Sequence, residues 1–392
     1  MKKLSLLSLG VAFALNSLNV HAFSDDQITV WMPLDKGQKG MTYAVEQFEK
    51  DTGIKVKVEF PESLEERYVQ VASVGKGPDI MIFAHDRFGG YADGGLVREV
   101  SPSKEFKAQF QDFTWDAVSY KGKTYGYPIA AESVSLIYNK DIIDEPIENW
   151  EDVFALDKAL QEQGKRAIAW DVKTPYFTHP LYSSAGAYVF EMGDEGFIAE
   201  NTGVNSPEAK ETMTFLKKII DQGVMSSDMD YAHAETAFNK GQVAMTINGP
   251  WAWANIEATG INYGVAELPK FNDKSSRPFV GILMAGINTA SPNTALAQEF
   301  IENYMLSMDS LRFMNSQVSI GVPARTEFAQ ELQDDPRIHA SLINAQNGDI
   351  MPNIPQMMGY WHGLGAAITN VIEERQTVDQ ALVDLEKRVL SK

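Results

Sequence analysis

QITVWMPLDKGQKGMTYAVEQFEKDTGIKVKVEFPESLEERYVQVASVGKGPDIMIF, residues 27–83, is a stretch in which strand and helix patterns alternate. Gln27 to Pro33 is typical of a short strand. Apolar residues then recur at helical spacing up to Gly53, and residues 54–60 alternate between apolar and charged. A second helix is predicted over 62–74, and Asp79 to Phe83 is an apolar run typical of a buried parallel strand. This order predicts an α/β protein with a mainly parallel sheet flanked by helices.

Charged and turn-forming residues follow each of these three predicted strands. They occupy segments 34–37, 61–66 and 84–87. Ligands of open α/β sheets bind outside the carboxyl ends of the strands. The sequence therefore predicts a binding site built from these segments.

The rest of the chain continues the α/β pattern. Apolar strands are predicted at 133–138, 243–247 and 279–287. A chain of 392 residues buries a large core and is expected to divide into two lobes. Helix caps are predicted at Asn149, at Ser206 and at Thr377, which forms a capping box with Gln380.

The first residues are typical of a secretory signal peptide. Lys2 and Lys3 precede an apolar run at 4–15 that is too short to span a bilayer. Small residues at Val20 and Ala22 then predict cleavage after Ala22. The sequence therefore predicts export from the cytoplasm.

Composition excludes several classes of partner and site. The formal net charge is −19, and removal of residues 1–22 makes it −21, because two lysines and no acid are lost. Such a charge argues against nucleic acid and anionic membrane as partners. The chain has no cysteine and its histidines are scattered, so we expect no disulfide, no thiolate metal site and no cofactor.

Paired carboxylates are the one pattern that favours catalysis. No nucleophile elbow, zinc-protease or phosphate-loop motif is present. Glu65, Glu66, Asp86 and Glu132 could supply the acid and base of a glycosidase. Single acids on loops are, however, usually solvated surface charges.

Several aromatic residues fall on predicted turns, where burial in a core explains them less well than on strands. Tyr176 follows Pro175, Trp251 and Trp253 follow an apolar strand, and Trp361 comes after a proline-rich run. A flat aromatic ring covers the apolar face of a sugar, and charged side chains bond its hydroxyls. These turns therefore suit carbohydrate, although Trp253 is better explained as core, and core and ligand platform are equally open for Trp251 and Trp361.

Long segments of the chain resemble the bacterial periplasmic maltose/maltodextrin-binding proteins, which are the solute-binding proteins of ABC sugar importers. The resemblance covers essentially the whole chain after residue 22. The segments that carry it are 35–37, 85–92, 113–118, 135–140, 175–178, 237–241, 245–253 and 350–357.

This resemblance implies two lobes joined by three hinge crossovers, near 131–133, 280–284 and 332–335. The first lobe would comprise 23–131 with 285–332, and the second 133–280 with 336–392. The resemblance also implies a periplasmic monomer that closes by hinge motion on maltose or maltodextrin and delivers it to a membrane ABC permease. Some relatives also report to a chemotaxis receptor, so such a partner stays open.

The resemblance also implies a set of ligand-binding residues between the lobes. Lys36 and Arg87 in this set would hold nearby acids ionised, which argues against a glycosidase and for a receptor. The implied ligand-binding residues are Asp35, Lys36, Glu65, Glu66, Phe83, Asp86, Arg87, Glu132, Pro175, Tyr176, Trp251, Met351 and Trp361.

Five positions depart from the family pattern, mostly by loss of polar or stacking groups towards the outer end of the cleft. We therefore predict weaker binding of longer maltodextrins. Another glucan, trehalose-like or a cyclodextrin, is the alternative ligand. The five positions are Ser63, Phe83, Thr174, His362 and Gly365.

Overall fold

The computed structural model describes residues 23–24, 27–34, 36–193 and 196–391. The predicted signal peptide, residues 1–22, and Asp35 lie outside the described residues. No helix in the described ranges is both long enough and apolar enough to cross a membrane.

Helices and strands alternate along the described chain. Short 3-10 helices lie at His85–Arg87 and Pro250–Ala252, and a π-helix at Phe300–Met305 continues α11. The strands are β1 Gln27–Trp31, β2 Lys55–Glu59, β3 Ile80–Ala84, β4 Ser119–Tyr120, β5 Lys123–Thr124, β6 Tyr127–Glu132, β7 Ser135–Asn139, β8 Arg166–Ala169, β9 Glu191–Gly193, β10 Gly196–Ile198, β11 Val243–Asn248, β12 Tyr263–Ala266, β13 Phe279–Ile287, β14 Val322–Pro323 and β15 Asp349–Ile350. The helices are α1 Gln38–Thr52, α2 Leu64–Ala72, α3 Phe88–Asp93, α4 Lys104–Lys107, α5 Asp112–Ala117, α6 Asp152–Gln161, α7 Pro175–Ser183, α8 Pro207–Asp221, α9 Tyr231–Asn239, α10 Trp253–Glu257, α11 Thr294–Glu299, α12 Met308–Gln317, α13 Thr326–Leu332, α14 Pro336–Asn347, α15 Met357–Ile372 and α16 Val378–Val389.

Two separate hydrophobic cores organise these elements. The first core draws its buried residues from 28–131 and 280–328, and we call the elements packed on it the first lobe. The second core draws on 134–279 and 338–389, and the elements packed on it form the second lobe. The predicted two-lobed α/β fold is therefore confirmed.

Each lobe has a sheet flanked by helices. In the first lobe the strand order is β14-β6-β13-β3-β1-β2, with β1 parallel to both β2 and β3, while β13 runs antiparallel to β3 and β6. In the second lobe the order is β12-β7-β11-β8, and β11 is parallel only to β8. Both sheets are therefore mixed and not mainly parallel as predicted from the sequence, because the pairings of β13, β6 and β14 in the first lobe and of β7 in the second are antiparallel. Parallel pairing occurs where helices connect the strands, as a crossover connection requires.

The long strand β13 connects the two lobes. It begins at Phe279, which packs in the second core, and all nine of its residues are buried. Its first two residues pair in parallel with β15, Phe279 with Asp349 and Val280 with Ile350. The crossover at the start of β13 therefore lies beside β15, a short strand between the second-lobe helices α14 and α15.

Candidate functional site

A cavity of about 660 Å³ lies where the two lobes face each other. The loops after β1 and β3 and the end of β6 form its first-lobe side, as the parallel-sheet argument predicts. The start of α7 and the turn after β11 form its second-lobe side. Ten of the sequence-predicted residues line this cleft: Lys36, Phe83, Asp86, Arg87, Glu132, Pro175, Tyr176, Trp251, Met351 and Trp361.

An ion pair lies on the first-lobe side of the cleft. The Lys36 ammonium lies 2.6 Å and 2.8 Å from the two carboxylate oxygens of Glu132, and both side chains are almost buried. The same ammonium lies 4.6 Å from the ring centroid of Trp251, a cation–π contact. Lys36 therefore links the first lobe to an aromatic wall of the second.

A second polar group surrounds Asp86. The indole N–H of Trp361 donates a hydrogen bond to Asp86 Oδ2 at 3.0 Å, and Arg87 Nε lies 3.5 Å from the same oxygen. Burial raises the pKa of Asp86, while Arg87 and the Trp361 N–H act in the opposite direction. The sequence analysis expected Lys36 and Arg87 to keep the acids of the site ionised. At Asp86 burial is the larger effect, and it raises the pKa of the carboxyl.

Arg87 retains hydrogen-bonding capacity. Its Nε atom is buried and makes no hydrogen bond within the described part of the chain. Its guanidinium also contacts Met358 and lies 3.9 Å from a carboxylate oxygen of Glu65. The Arg87 side chain lines both the cleft and the neighbouring cavity, so it adjoins a ligand in the cleft.

Aromatic rings form the second-lobe wall. Tyr176 and Trp251 have ring centroids 6.1 Å apart, and the Tyr176 hydroxyl donates to the backbone carbonyl of Glu132 at 3.4 Å. Trp361 packs edge-on against Phe279, with centroids 5.3 Å apart. Trp251 and Trp361 are only partly buried and line the cavity, whereas Trp253 is 3% exposed and packs in the second core, as predicted.

Three predicted residues are placed differently. Glu65 and Glu66 line a neighbouring cavity of about 370 Å³, which shares Asp86 and Arg87 with the cleft. Asp35 lies outside the described residues, although its neighbour Lys36 lines the cleft. Asp86 and Arg87 therefore line both cavities.

Of the five departures from the family pattern, two line the cleft. Phe83 and Thr174 contribute to its wall. His362 is exposed, and Ser63 precedes α2 in the left-handed conformation. A Cβ atom on Gly365 would lie 3.6 Å from Pro175 Cδ, so this glycine adjoins the wall without lining it.

Several residues that line the cleft were not identified from the sequence. Tyr231 and Glu235 lie one turn apart on α9, and Asn255 on α10 donates a hydrogen bond to Glu235 Oε1 at 2.9 Å. Their helical spacing, i and i+4, places Tyr231 and Glu235 on one face, but nothing in the sequence directs that face to the cleft. Phe177, next to Tyr176, also lines it.

Metal chemistry has no evident site in the described ranges. No group of three or more His, Cys, Asp or Glu side chains there is arranged to hold a metal ion. The cleft instead combines flat aromatic faces with separate donors and acceptors, which suits a neutral polyhydroxylated ligand.

Known proteins resemble this chain over most of its length. A maltotriose-binding protein of Pyrococcus abyssi is 26% identical over 90% of this chain and 79% of its own length. A galactooligosaccharide-binding protein of Bacillus subtilis is 27% identical over 91% and 87%, and a maltodextrin-binding protein of the same organism is 25% identical over 97% and 93%. The sequence model of the bacterial extracellular solute-binding protein family matches residues 34–310. Because this match spans well over half of the chain, the protein belongs to the bacterial extracellular solute-binding protein family.

Proposed function

We propose that this solute-binding protein is the periplasmic receptor of an ABC sugar importer and binds a maltooligosaccharide in the cleft between its lobes. One observation carries the proposal. Three partly buried aromatic side chains, Tyr176, Trp251 and Trp361, line the same cavity as a set of paired charges. Relatives named for maltotriose and maltodextrin support it.

In this proposal the aromatic rings stack on the apolar C–H faces of the glucose units. The charged groups exchange their present partners for sugar hydroxyls. Lys36 and Glu132, which now pair with each other, would donate to and accept from hydroxyls respectively. The N–H of Trp361 holds the Asp86 carboxylate in place while its remaining lone pairs stay available.

The relatives named for galactooligosaccharide and maltooligosaccharide differ in sugar, so specificity needs a direct test. A thermal-shift panel with maltose, maltotriose, longer maltodextrins, a cyclodextrin, trehalose and a galactooligosaccharide ranks the ligands, because binding only to the native state raises the melting temperature. The proposal expects the largest shifts with the maltooligosaccharides. A larger shift with the galactooligosaccharide, or none with any sugar, contradicts it.

The first prediction concerns the length of the sugar. Phe83 offers less stacking area than tryptophan and no N–H, and Thr174 carries no charge, so outer glucose units gain few contacts. Affinity measured by calorimetry should therefore fall from maltotriose to longer maltodextrins. A steady rise in affinity with chain length would contradict the prediction.

We further propose that the protein binds its sugar without hydrolysing it. The relatives are named as binding proteins. Glu132 forms an ion pair with Lys36, and a paired carboxylate is suited to accepting hydrogen bonds from sugar hydroxyls. Prolonged incubation with maltotriose should release no glucose or maltose. Steady turnover would favour the glycosidase alternative.

The proposed lobe boundaries are those expected from the resemblance, with hinge closure about crossovers near 131–133, 280–284 and 332–335. The separate cores support these positions, because the buried residues change core near each of them. Closure would present both lobes to a membrane permease. Small-angle scattering with and without maltotriose tests closure and the proposed monomeric state together.

We also propose export by a signal peptide cleaved after Ala22. The description of the family as extracellular supports a location outside the cytoplasm. Amino-terminal sequencing of the protein from a periplasmic extract should begin at Phe23. A mature protein that retains Lys2 and Lys3 would contradict the proposal.

A further inference from the structure

His85 is a buried histidine directly beside the candidate site. It follows β3, it is 1% exposed, and it immediately precedes Asp86 and Arg87. It does not line the cleft, so direct contact with a sugar does not explain its position.

Both ring nitrogens of His85 bond to backbone groups. The N–H of Ile282 donates to Nδ1 at 2.9 Å, and Nε2 lies 2.9 Å from the carbonyl oxygen of Met351. Because a backbone N–H can only donate, Nδ1 is the unprotonated acceptor and Nε2 carries the proton that bonds Met351. Burial lowers the pKa of His85 to about 4, which keeps the ring neutral and both bonds intact at neutral pH.

These two partners lie on adjacent segments where the lobes meet: one is on β13, which crosses between the lobes, and the other packs in the second core. Ile282 lies on β13, and Met351 directly follows β15. The Met351 N–H donates to the carbonyl of Val280 at 3.1 Å, which continues the pairing of the segments. The imidazole therefore ties the loop after β3 to both segments at once.

The tied segments also form part of the cleft. Met351, Gly281 and Leu283 line it, and Asp86 accepts the N–H of Trp361 from the second lobe. A small displacement of the His85 ring would therefore move Asp86 relative to Trp361 and Met351. Binding sites lose affinity when their groups are not held in the binding geometry beforehand.

We propose that His85 is a positioning residue for sugar binding, which sets the relative placement of the lobes by fastening the Asp86–Arg87 loop to β13 and to Met351 of the second lobe. The proposal rests on the proposed function for its affinity readout. Without the His85 bonds, the lobes would sample more relative orientations and fewer of these would bind sugar.

Two substitutions separate the bonds. In His85→Asn the side-chain oxygen reaches the position of Nδ1 and can still accept from Ile282. In His85→Gln the amide nitrogen reaches the position of Nε2 and can still donate to Met351. His85→Ala removes both bonds.

Asn288 provides a matched control in the same lobe. It is 1% exposed, follows the far end of β13, and donates to the carbonyls of Lys76 and Pro78 at 3.0 Å each. Asn288→Ala removes a buried side-chain tie of the same kind, away from the pairing of β13 with β15. It should lower the melting temperature without changing sugar affinity.

The experiment measures maltotriose affinity by calorimetry and, separately, the interlobe distance in the absence of sugar. Because the chain has no cysteine, Lys50→Cys and Glu162→Cys, one exposed position in each lobe, can carry spin labels. We expect His85→Asn and His85→Gln each to weaken maltotriose binding about threefold to tenfold, the cost of one hydrogen bond. His85→Ala should weaken it more and should broaden the distance distribution.

The outcomes separate the two proposals. The role of His85 is overturned if folded His85→Asn and His85→Gln bind maltotriose within twofold of the unsubstituted protein and their interlobe distances are unchanged. Equal losses in Asn288→Ala would show a general stability effect and overturn it as well. Absence of sugar binding by the unsubstituted protein contradicts the proposed function, while the distance distributions of the sugar-free proteins still test His85.

Discussion

At the residue scale, the placement of the Trp251 ring depends on a glycine. A Cβ atom on Gly249 would lie 2.1 Å from Cη2 of Trp251, far inside van der Waals contact. The backbone of Gly249 has φ −103, which any residue can adopt, so the constraint is the ring and not the backbone. The glycine lets the ring lie against the main chain and form part of the cleft wall.

Gly249→Ala should therefore displace the Trp251 ring and weaken maltotriose binding about tenfold or more, because a stacking surface loses its geometry. Calorimetry measures the affinity. Gly90→Ala is the control, because a Cβ there meets nothing within 4 Å. Equal affinity in Gly249→Ala and the unsubstituted protein would remove Trp251 from the site.

The burial of His85 should make the stability of the protein depend on pH. Its pKa is about 4 in the folded chain, whereas an unfolded histidine titrates near 6.5. The unfolded chain therefore takes up the proton first. The contribution of His85 to stability is complete above pH 6.5 and is lost as the pH falls towards 4.

Linkage places this loss at about 2 kcal/mol between pH 7 and pH 5. Urea unfolding of His85→Asn and of the unsubstituted protein at both pH values isolates the contribution of His85, because the contributions of the other titrating groups are common to both proteins. The variant should lose about 2 kcal/mol less stability on acidification. If the free energy of unfolding changed equally in the two proteins between pH 7 and pH 5, it would show that His85 is not buried in neutral form.

At the element scale, local sequence signals predicted some helix boundaries and not others. The Ser206 hydroxyl accepts from the N–H of Ala209, as predicted for a cap. The predicted cap at Asn149 is wrong, since α6 begins at Asp152. Trp150 is fully buried and its backbone N–H donates to the carbonyl oxygen of Lys270, so tertiary contacts hold the residues after Asn149 in a turn before the helix begins.

The capping box at the start of α16 should contribute to the stability of the protein. The Thr377 hydroxyl accepts from the N–H of Gln380, and the Gln380 side chain accepts from the N–H of Thr377. Thr377→Ala should lower the free energy of unfolding by about 1 kcal/mol, measured in urea. Thr377→Ser keeps the hydroxyl and should remain close to the unsubstituted protein; an equal loss in both would contradict the cap.

At the scale of the whole molecule, the fold was largely predictable, because strand and helix patterns alternate and the polar loops follow the strands. Those patterns place Lys36, Asp86 and Arg87 at one edge of a sheet. The contribution of Tyr231, Glu235 and Asn255 could not be predicted, because it depends on how the second lobe faces the first. The placement of Glu65 and Glu66 in a neighbouring cavity depends on side-chain directions that no local pattern sets.

The same scale shows how the site and the fold depend on each other. Lys36 reaches from the first lobe to Glu132 at a connecting segment and to Trp251 on the second lobe. Trp361 reaches back from the second lobe to Asp86. The cleft residues therefore also hold the lobes together, so a ligand that replaces these contacts would act on lobe placement directly.

Calorimetric titration of maltotriose into the unsubstituted protein, Trp251→Ala and Trp361→Ala tests the central claim most directly. We predict saturable binding with one sugar per chain, and at least a tenfold loss of affinity in each variant with little change in melting temperature, because both rings are partly exposed walls of the cleft. No binding by the unsubstituted protein, or equal affinity in all three proteins, would contradict the account of the cleft as a sugar-binding site.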